Sequence, residues 1–174
     1  MSAEKLEKAL RRIPDFPKEG IIYIDTTPIL QDSELFRLAI DLLAEKYIDS
    51  PPAYVAAVDA RGFIFGGALA AKLGCGFIPI RKKGKLPYKT YVEKYDLEYG
   101  SAEIEVHIDA VPAGAEVLLL DDLLATGGTI AAAARLLEQL KAKIIGIEFV
   151  IELGFLNGRQ GLGNYPVNSL ILEK

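Results

Sequence analysis

The chain has no tryptophan, one methionine, one cysteine and one histidine in 174 residues. With Cys75 alone, an intrachain disulfide and any zinc site built on several thiolates are excluded. With His107 alone, an HExxH metalloprotease helix and a three-histidine metal site within one chain are excluded. Long apolar runs are missing as well. No stretch approaches the 18 or so residues a membrane span needs, and the first residues, MSAEKLEKALRRIPDF, lack the apolar core of a secretory leader. Charge of one sign is also scarce. A net charge of −4 argues against indiscriminate binding to nucleic acid or anionic membranes. These absences predict a cytoplasmic protein with no nucleic-acid or membrane partner. Half the residues (51%) are hydrophobic, enough for one core without staples, and the length predicts a single domain over residues 1–174.

What is present alternates between two patterns. Leu6, Leu10 and Ile13 predict a short helix over residues 3–13, closed by Pro14. GIIYID (20–25) reads as a short strand that stops at Thr26-Thr27-Pro28. Leu35, Leu38, Ala39, Leu42 and Leu43 form one helical stripe, with Asp32 or Ser33 as its cap. AYVAAVD, GFIPIR, EVLLLDD and KIIGIEFVIEL are near-continuous apolar runs, the mark of strands covered on both faces. A small-residue helix over 63–73, ended by Gly74, and a helix from Thr129 lie between them, and NSLILE is a last short strand. AEIEVHID (102–109) alternates and predicts a strand with one wet face. Residues 82–101 are charged, aromatic and without apolar period, too long for an ordinary connection. The tail carries Gly154, Gly158, Gly161 and Gly163. Strands alternating with helices predict an α/β fold, a mostly parallel central sheet flanked by helices. In such sheets ligands bind beyond the carboxyl ends of the strands. Two strand ends are polar, 59–62 and 121–129, so the site is expected between them.

The sharpest motif is VLLLDDLLATGGT (117–129): buried strand, two acids, tight loop, helix start. Gly127 and Gly128 let consecutive N–H groups converge, and the helix start adds unpaired N–H groups and a positive dipole end. That is a phosphate cradle. It is not a Walker loop, because no lysine follows the glycines. Carboxylates beside a phosphate must bind hydroxyls or a metal, and the vicinal hydroxyls of a ribose fit Asp121 and Asp122. A plainer reading, in which the acids only end a strand and cap a helix, also accommodates this segment. His107 and Cys75 read as structural residues, and Tyr23 reads equally as a core residue or a ring that stacks on a base.

LLLDDLLATGGT resembles the phosphoribosyl-pyrophosphate signature of type I phosphoribosyltransferases. PDFPKEGI, VDARGFIFGG, IRKKGKLP and YDLEYG resemble, in order and spacing, segments of the adenine phosphoribosyltransferase family. The resemblance implies the type I phosphoribosyltransferase fold, with a small hood over about residues 1–30 and a flexible lid over about 82–101. It implies Mg²⁺-dependent transfer of the 5-phosphoribosyl group from phosphoribosyl pyrophosphate to adenine, yielding AMP and pyrophosphate in purine salvage, by a cytoplasmic homodimer. It assigns the 5′-phosphate to Ala125, Thr126, Gly127, Gly128 and Thr129, and the ribose to Asp121 and Asp122. It assigns pyrophosphate to Arg61, Arg81, Lys82 and Lys85, and adenine to Ile22, Tyr23, Ile24 and Leu123. Glu98, Arg61 and Tyr99 are the implied catalytic residues, and Mg²⁺ is held mostly by substrate oxygens rather than by a protein cluster. One position departs from the family: Ile24 stands where most members carry arginine, which removes a positive charge near the base. Two rivals follow, a transferase for another purine and a binding protein without turnover.

Overall fold

The computed structural model describes residues 2–96 and 100–174. A seven-stranded sheet forms the centre. Five of its strands are parallel: β3 (Tyr54–Val58), β4 (Gly76–Lys82), β7 (Glu116–Leu124), β8 (Lys143–Leu153) and β9 (Val167–Glu173). Two antiparallel strands, β5 (Thr90–Asp96) and β6 (Ser101–His107), extend one edge to give the order β5-β6-β4-β3-β7-β8-β9. The mostly parallel α/β sheet predicted from the apolar runs is therefore present.

Helices cover both faces. α3 (Ser33–Ala44) and α4 (Arg61–Leu73) lie on one side, and α5 (Gly128–Gln139) lies on the other. Strand alternation divides the core between them. Val55 and Ala57 of β3 and Leu118 and Leu120 of β7 pack with Phe65 and Leu69. Ala56, Val58, Val117 and Leu119 pack with Ile130, Ala133 and Leu137. All four leucines and valines named on β7 are fully buried, each worth about 1.5–3 kcal/mol of transfer free energy. Asp32 caps α3, its Oδ1 accepting from the amides of Glu34 (2.9 Å) and Leu35 (3.1 Å). Gly74 ends α4 in the left-handed region at φ 68°.

Four local expectations are corrected. The first helix, α1, runs only over Glu4–Ala9. Leu10 turns extended, and residues 11–14 form β1 (Arg11–Pro14), paired antiparallel with β2 (Ile22–Asp25). Pro14 disfavours helical geometry at Ile13, which outweighs the weak 3.6-residue spacing. A five-residue helix, α2 (Thr27–Gln31), follows β2 where only a stop was expected. The segment after residue 82 contains β5, stabilised by cross-strand pairing rather than by an apolar face, with Glu93 accepting from Arg135 Nε (2.9 Å) and Gln139 Nε2 (2.6 Å) of α5. The wet face expected on β6 is covered, since Glu105 is only 4% exposed. Its Oε1 accepts from the amides of Lys85 (2.9 Å) and Leu86 (2.8 Å), and its Oε2 from the Thr90 hydroxyl (3.1 Å).

Candidate active site

β3 and β7 are direct neighbours in parallel register, Ala57 opposite Leu120. Their carboxyl ends therefore open side by side, as expected from the two polar segments. Between them lies a cleft of about 370 Å³, within the range of small-molecule sites. Its walls come from Asp59 and Arg61 after β3, from Asp121 and Asp122 on β7, and from the loop 125–129; Leu123 and Tyr95 also face it.

Arg61 organises the acids. Its Nε donates to Asp122 Oδ2 at 2.5 Å, and its Nη1 donates to the Tyr23 hydroxyl of β2. The guanidinium carbon sits 5.8 Å from the Tyr23 ring centroid, and Phe16 meets that ring edge-on at 5.2 Å. Burial works against the Arg61 charge, but the Asp122 carboxylate more than offsets it and holds the guanidinium above its ordinary value. Asp121 is different. Loss of water and the neighbouring Asp122 charge push its carboxyl well above the usual carboxylate range, with Arg61 only partly opposing. Its Oδ1 accepts from the Asp122 amide at 2.8 Å. A Cβ at position 62 would lie 2.7 Å from that same oxygen, so any larger residue there must displace the Asp121 carboxyl.

The loop 125–129 makes the tight turn into a helix that its glycines predict. Gly127 precedes α5 at φ 87°, a conformation that favours glycine, and no side chain caps the helix. Thr126, Gly127, Gly128 and Thr129 line the loop side of the cleft, where the first N–H groups of α5 have no intrahelical partner.

The basic residues separate. Arg81 Nε donates to Asp59 Oδ2 at 3.0 Å, and its Nη1 donates to the Lys85 carbonyl at 3.3 Å, so Arg81 is tied to the turn that bears Arg61. Lys82 and Lys85 are exposed and stand outside the walls of the cleft. The side chains of β2 also divide. Alternation turns Tyr23 toward Arg61, while Ile22 and Ile24 line a second cavity of about 410 Å³ with Leu153, Phe155 and Leu156. Ile24 is buried in the core, in the cluster against which Leu123 also packs. Glu98 and Tyr99 lie outside the described residues. Asp59, the partner of Arg81, was not singled out as a site residue, although an acid at the carboxyl end of a buried strand is a signal for one.

Among the described residues no group of three or more His, Cys, Asp or Glu side chains is placed to hold a metal ion, and no helix is long and apolar enough to cross a membrane.

Residues 26–159 match the family model of the phosphoribosyl transferase domain. The adenine phosphoribosyltransferase of Solidesulfovibrio magneticus is 54% identical over 166 residues, 95% of this chain and 97% of its own length. The crystal structure of adenine phosphoribosyltransferase from Thermoanaerobacter pseudethanolicus superposes with a TM-score of 0.95 at 47% identity, covering 99% of this chain and 100% of that one. That of the Saccharomyces cerevisiae enzyme, complexed with an imino-altritol bisphosphate and adenine, superposes at 0.92 with 44% identity, covering 97% of each chain.

Proposed function

We propose, from the premise that this chain belongs to the adenine phosphoribosyltransferase family, a division of labour within its cleft. The reaction is transfer of the 5-phosphoribosyl group from phosphoribosyl pyrophosphate to adenine, giving AMP and pyrophosphate, a step of purine salvage. The C1′–oxygen bond to pyrophosphate breaks as a ring nitrogen of adenine bonds to C1′, through an oxocarbenium-like state. The observation that carries the assignment of roles is the meeting, in one cleft, of the Arg61–Asp122 pair with the uncapped start of α5.

The amides of 125–129 and the Thr126 and Thr129 hydroxyls receive the 5′-phosphate. Asp121 and Asp122 accept the ribose hydroxyls. Arg61 has five N–H donors and spends two on Asp122 and Tyr23, leaving donors for the leaving pyrophosphate. Its charge interacts most strongly when negative charge has built up on the leaving oxygen, which lowers the barrier rather than only tightening binding. Arg81, Lys82 and Lys85 extend the positive field around the pyrophosphate. Tyr23 and Leu123 flank the base, Ile22 and Ile24 support it from the hood through the backbone of β2, and Glu98 and Tyr99 close over the reacting centre, Glu98 handling the base proton.

A Mg²⁺ ion fits this donor set as a passenger of the substrate. Asp121 and Asp122 would offer it carboxylate oxygens, and a hard cation there would draw further ligands from pyrophosphate and water. When bound, the metal neutralises charge on the departing pyrophosphate. The reading includes a cytoplasmic homodimer. Exposed apolar side chains such as Ile64 of α4 (44% exposed) and Phe77 of β4 (36% exposed) support a second copy, and light scattering tests it.

A panel of bases tests the whole assignment. Protein is incubated with Mg²⁺, phosphoribosyl pyrophosphate and adenine, hypoxanthine, guanine or xanthine, and nucleotides are resolved by chromatography. AMP far above every other product is expected, with Ile24 tolerated. Product from a 6-oxopurine moves the specificity, and no nucleotide from any base turns the reading into binding without turnover.

A further inference from the structure

The glycine-bearing tail is absorbed by none of these roles, yet its backbone is pressed against the phosphate loop. Gly158 is buried. A Cβ on it would lie 2.2 Å from the Ala125 carbonyl oxygen and 3.0 Å from Leu124 Cδ1. In the reverse direction, a Cβ on Gly127 would lie 2.3 Å from the Gly158 carbonyl oxygen. Two stretches of main chain therefore touch with no side chain between them, and one of them is the cradle.

The neighbouring residue explains what holds Gly158 in place. Arg159 Nε donates to Glu152 Oε1 at 2.6 Å and its Nη2 to Glu152 Oε2 at 2.5 Å, a fork-to-fork pair. Nη2 also reaches Ser169 Oγ at 3.1 Å, and Nη1 donates to the Val167 carbonyl at 2.8 Å. Ser169 Oγ donates to Glu152 Oε2 at 2.6 Å, so the carboxylate is well supplied with donors. Glu152 is 5% exposed, and the Arg159 hydrogen bonds hold its carboxyl below the ordinary range. It sits on β8 directly opposite Leu124, the residue before Ala125. The anchor thus rises from the strand beside the one that carries the loop.

We infer that the Glu152–Arg159 fork, acting through Gly158, is the positioning device of the 5′-phosphate subsite. An anion site made of main-chain N–H groups has no long side chain with which to adjust, so its backbone must be held to within about 0.5 Å. The fork supplies that hold from behind, and the two glycines let the backbones meet. Arg159 and Glu152 touch no substrate in this arrangement. They act on the phosphate only through the shape of residues 125–127. The inference rests on the reading of that loop as the phosphate subsite.

The test separates phosphate recognition from the rest of the ligand. Full-length wild type and the variants Gly158→Ala, Arg159→Lys and Thr129→Val are titrated calorimetrically with AMP and with adenosine, which lacks the phosphate. Gly158 lies outside the positive-φ region, so alanine there acts as a wedge against Ala125 and not through backbone strain. Expected is a loss of AMP affinity of about tenfold to a hundredfold in Gly158→Ala and a smaller loss in Arg159→Lys, with adenosine changed less than about twofold. Transfer assays on the same proteins should show KM for phosphoribosyl pyrophosphate rising while KM for adenine holds. Arg159→Lys keeps the charge and one contact with Glu152, so it reports even if the wedge prevents folding. Unchanged AMP affinity in the variants that fold overturns the inference, and so does a parallel loss of AMP and adenosine. Thr129→Val tells the two failures apart. If it also leaves AMP affinity unchanged, the loop is not the phosphate subsite. If it alone weakens AMP, the loop reading stands and the fork is merely structural.

Discussion

Replacing Arg61 by alanine removes a side chain that touches both an acid of the cleft and Tyr23 of β2. Two hydrogen bonds go, to Asp122 Oδ2 and to the Tyr23 hydroxyl, along with the charge that we propose acts on the leaving group. By comparison with the loss of a single donor to developing negative charge, kcat/KM should fall about 10²–10³-fold, or about 2.7–4 kcal/mol. Stability should suffer much less. Breaking a fully buried pair costs about 3–5 kcal/mol. The Asp122 side chain is 6% exposed but that of Arg61 is 42% exposed. Water screens such a pair, which brings the cost toward about 1 kcal/mol. For a chain of this size that is about 2–4 °C in Tm. Initial rates of AMP formation at varied phosphoribosyl pyrophosphate, with a thermal melt of the same preparation, measure both numbers. Arg61→Lys keeps the charge without the fork and should fall between. A rate within about threefold of wild type would remove Arg61 from the chemistry, whereas a melt lowered by more than about 10 °C would show that the lost rate reports unfolding.

Three other predictions follow from neighbouring contacts. The Asp121 carboxyl is pushed up in the folded protein, so the native state holds its proton more tightly than the unfolded chain, and this contribution to stability is lost as pH rises from near the unfolded value of 3.8 through the raised one. Asp121→Asn should therefore flatten the decline of Tm as pH rises above about 4 in ligand-free protein, while costing about 10–100-fold in kcat/KM through the lost carboxyl acceptor; an unchanged or steeper decline refutes the assignment. Glu105→Ala strips the acceptor from the Lys85 and Leu86 amides, and a loss of about 1.5–3 kcal/mol in denaturant melts is expected together with faster hydrogen exchange at those two amides. Gly62→Ala drives a Cβ toward Asp121 Oδ1, and an overpacking cost of about 1–3 kcal/mol should appear with a raised KM for phosphoribosyl pyrophosphate; an unchanged KM would separate that contact from ribose binding.

The buried strands were readable because VLLL and YVAAV are short apolar runs bounded by turn residues, too short for a buried helix, and α3 because cap and stripe agree. The position of the cleft followed from two polar strand ends. What escaped was structure held by partners distant in sequence. β1 has two arginines and a proline in four residues, and it exists because Arg12 and Ile13 pair with Ile24 and Tyr23. β5 carries no continuous apolar face and is held by β6 and by the Glu93 contacts to α5. Glu105 looks like a solvent-facing residue of an alternating strand until the turn after β4 folds over it. In the site itself, the acids, Arg61 and the glycine loop were legible as types of residue at polar strand ends. The separation of Tyr23 from Ile22 and Ile24 was not, because it depends on which way a four-residue strand faces once paired.

The adjacency of β3 and β7 also governs how the chain reaches its folded state. The two strands that open the cleft are neighbours in space, yet β3 ends at Val58 and β7 begins at Glu116. Pairing them closes a long loop of chain, a slow event whose entropic cost precedes its reward. On the ribosome, β3 can pair with β4 early, but its other edge stays open until residue 116 has emerged. During that interval Val55, Ala56 and Ala57, all fully buried at the end, present an apolar edge to any passing strand. Because the cleft forms only when β7 docks, a nucleotide present during refolding should raise the yield by capturing the completed sheet rather than by guiding its assembly.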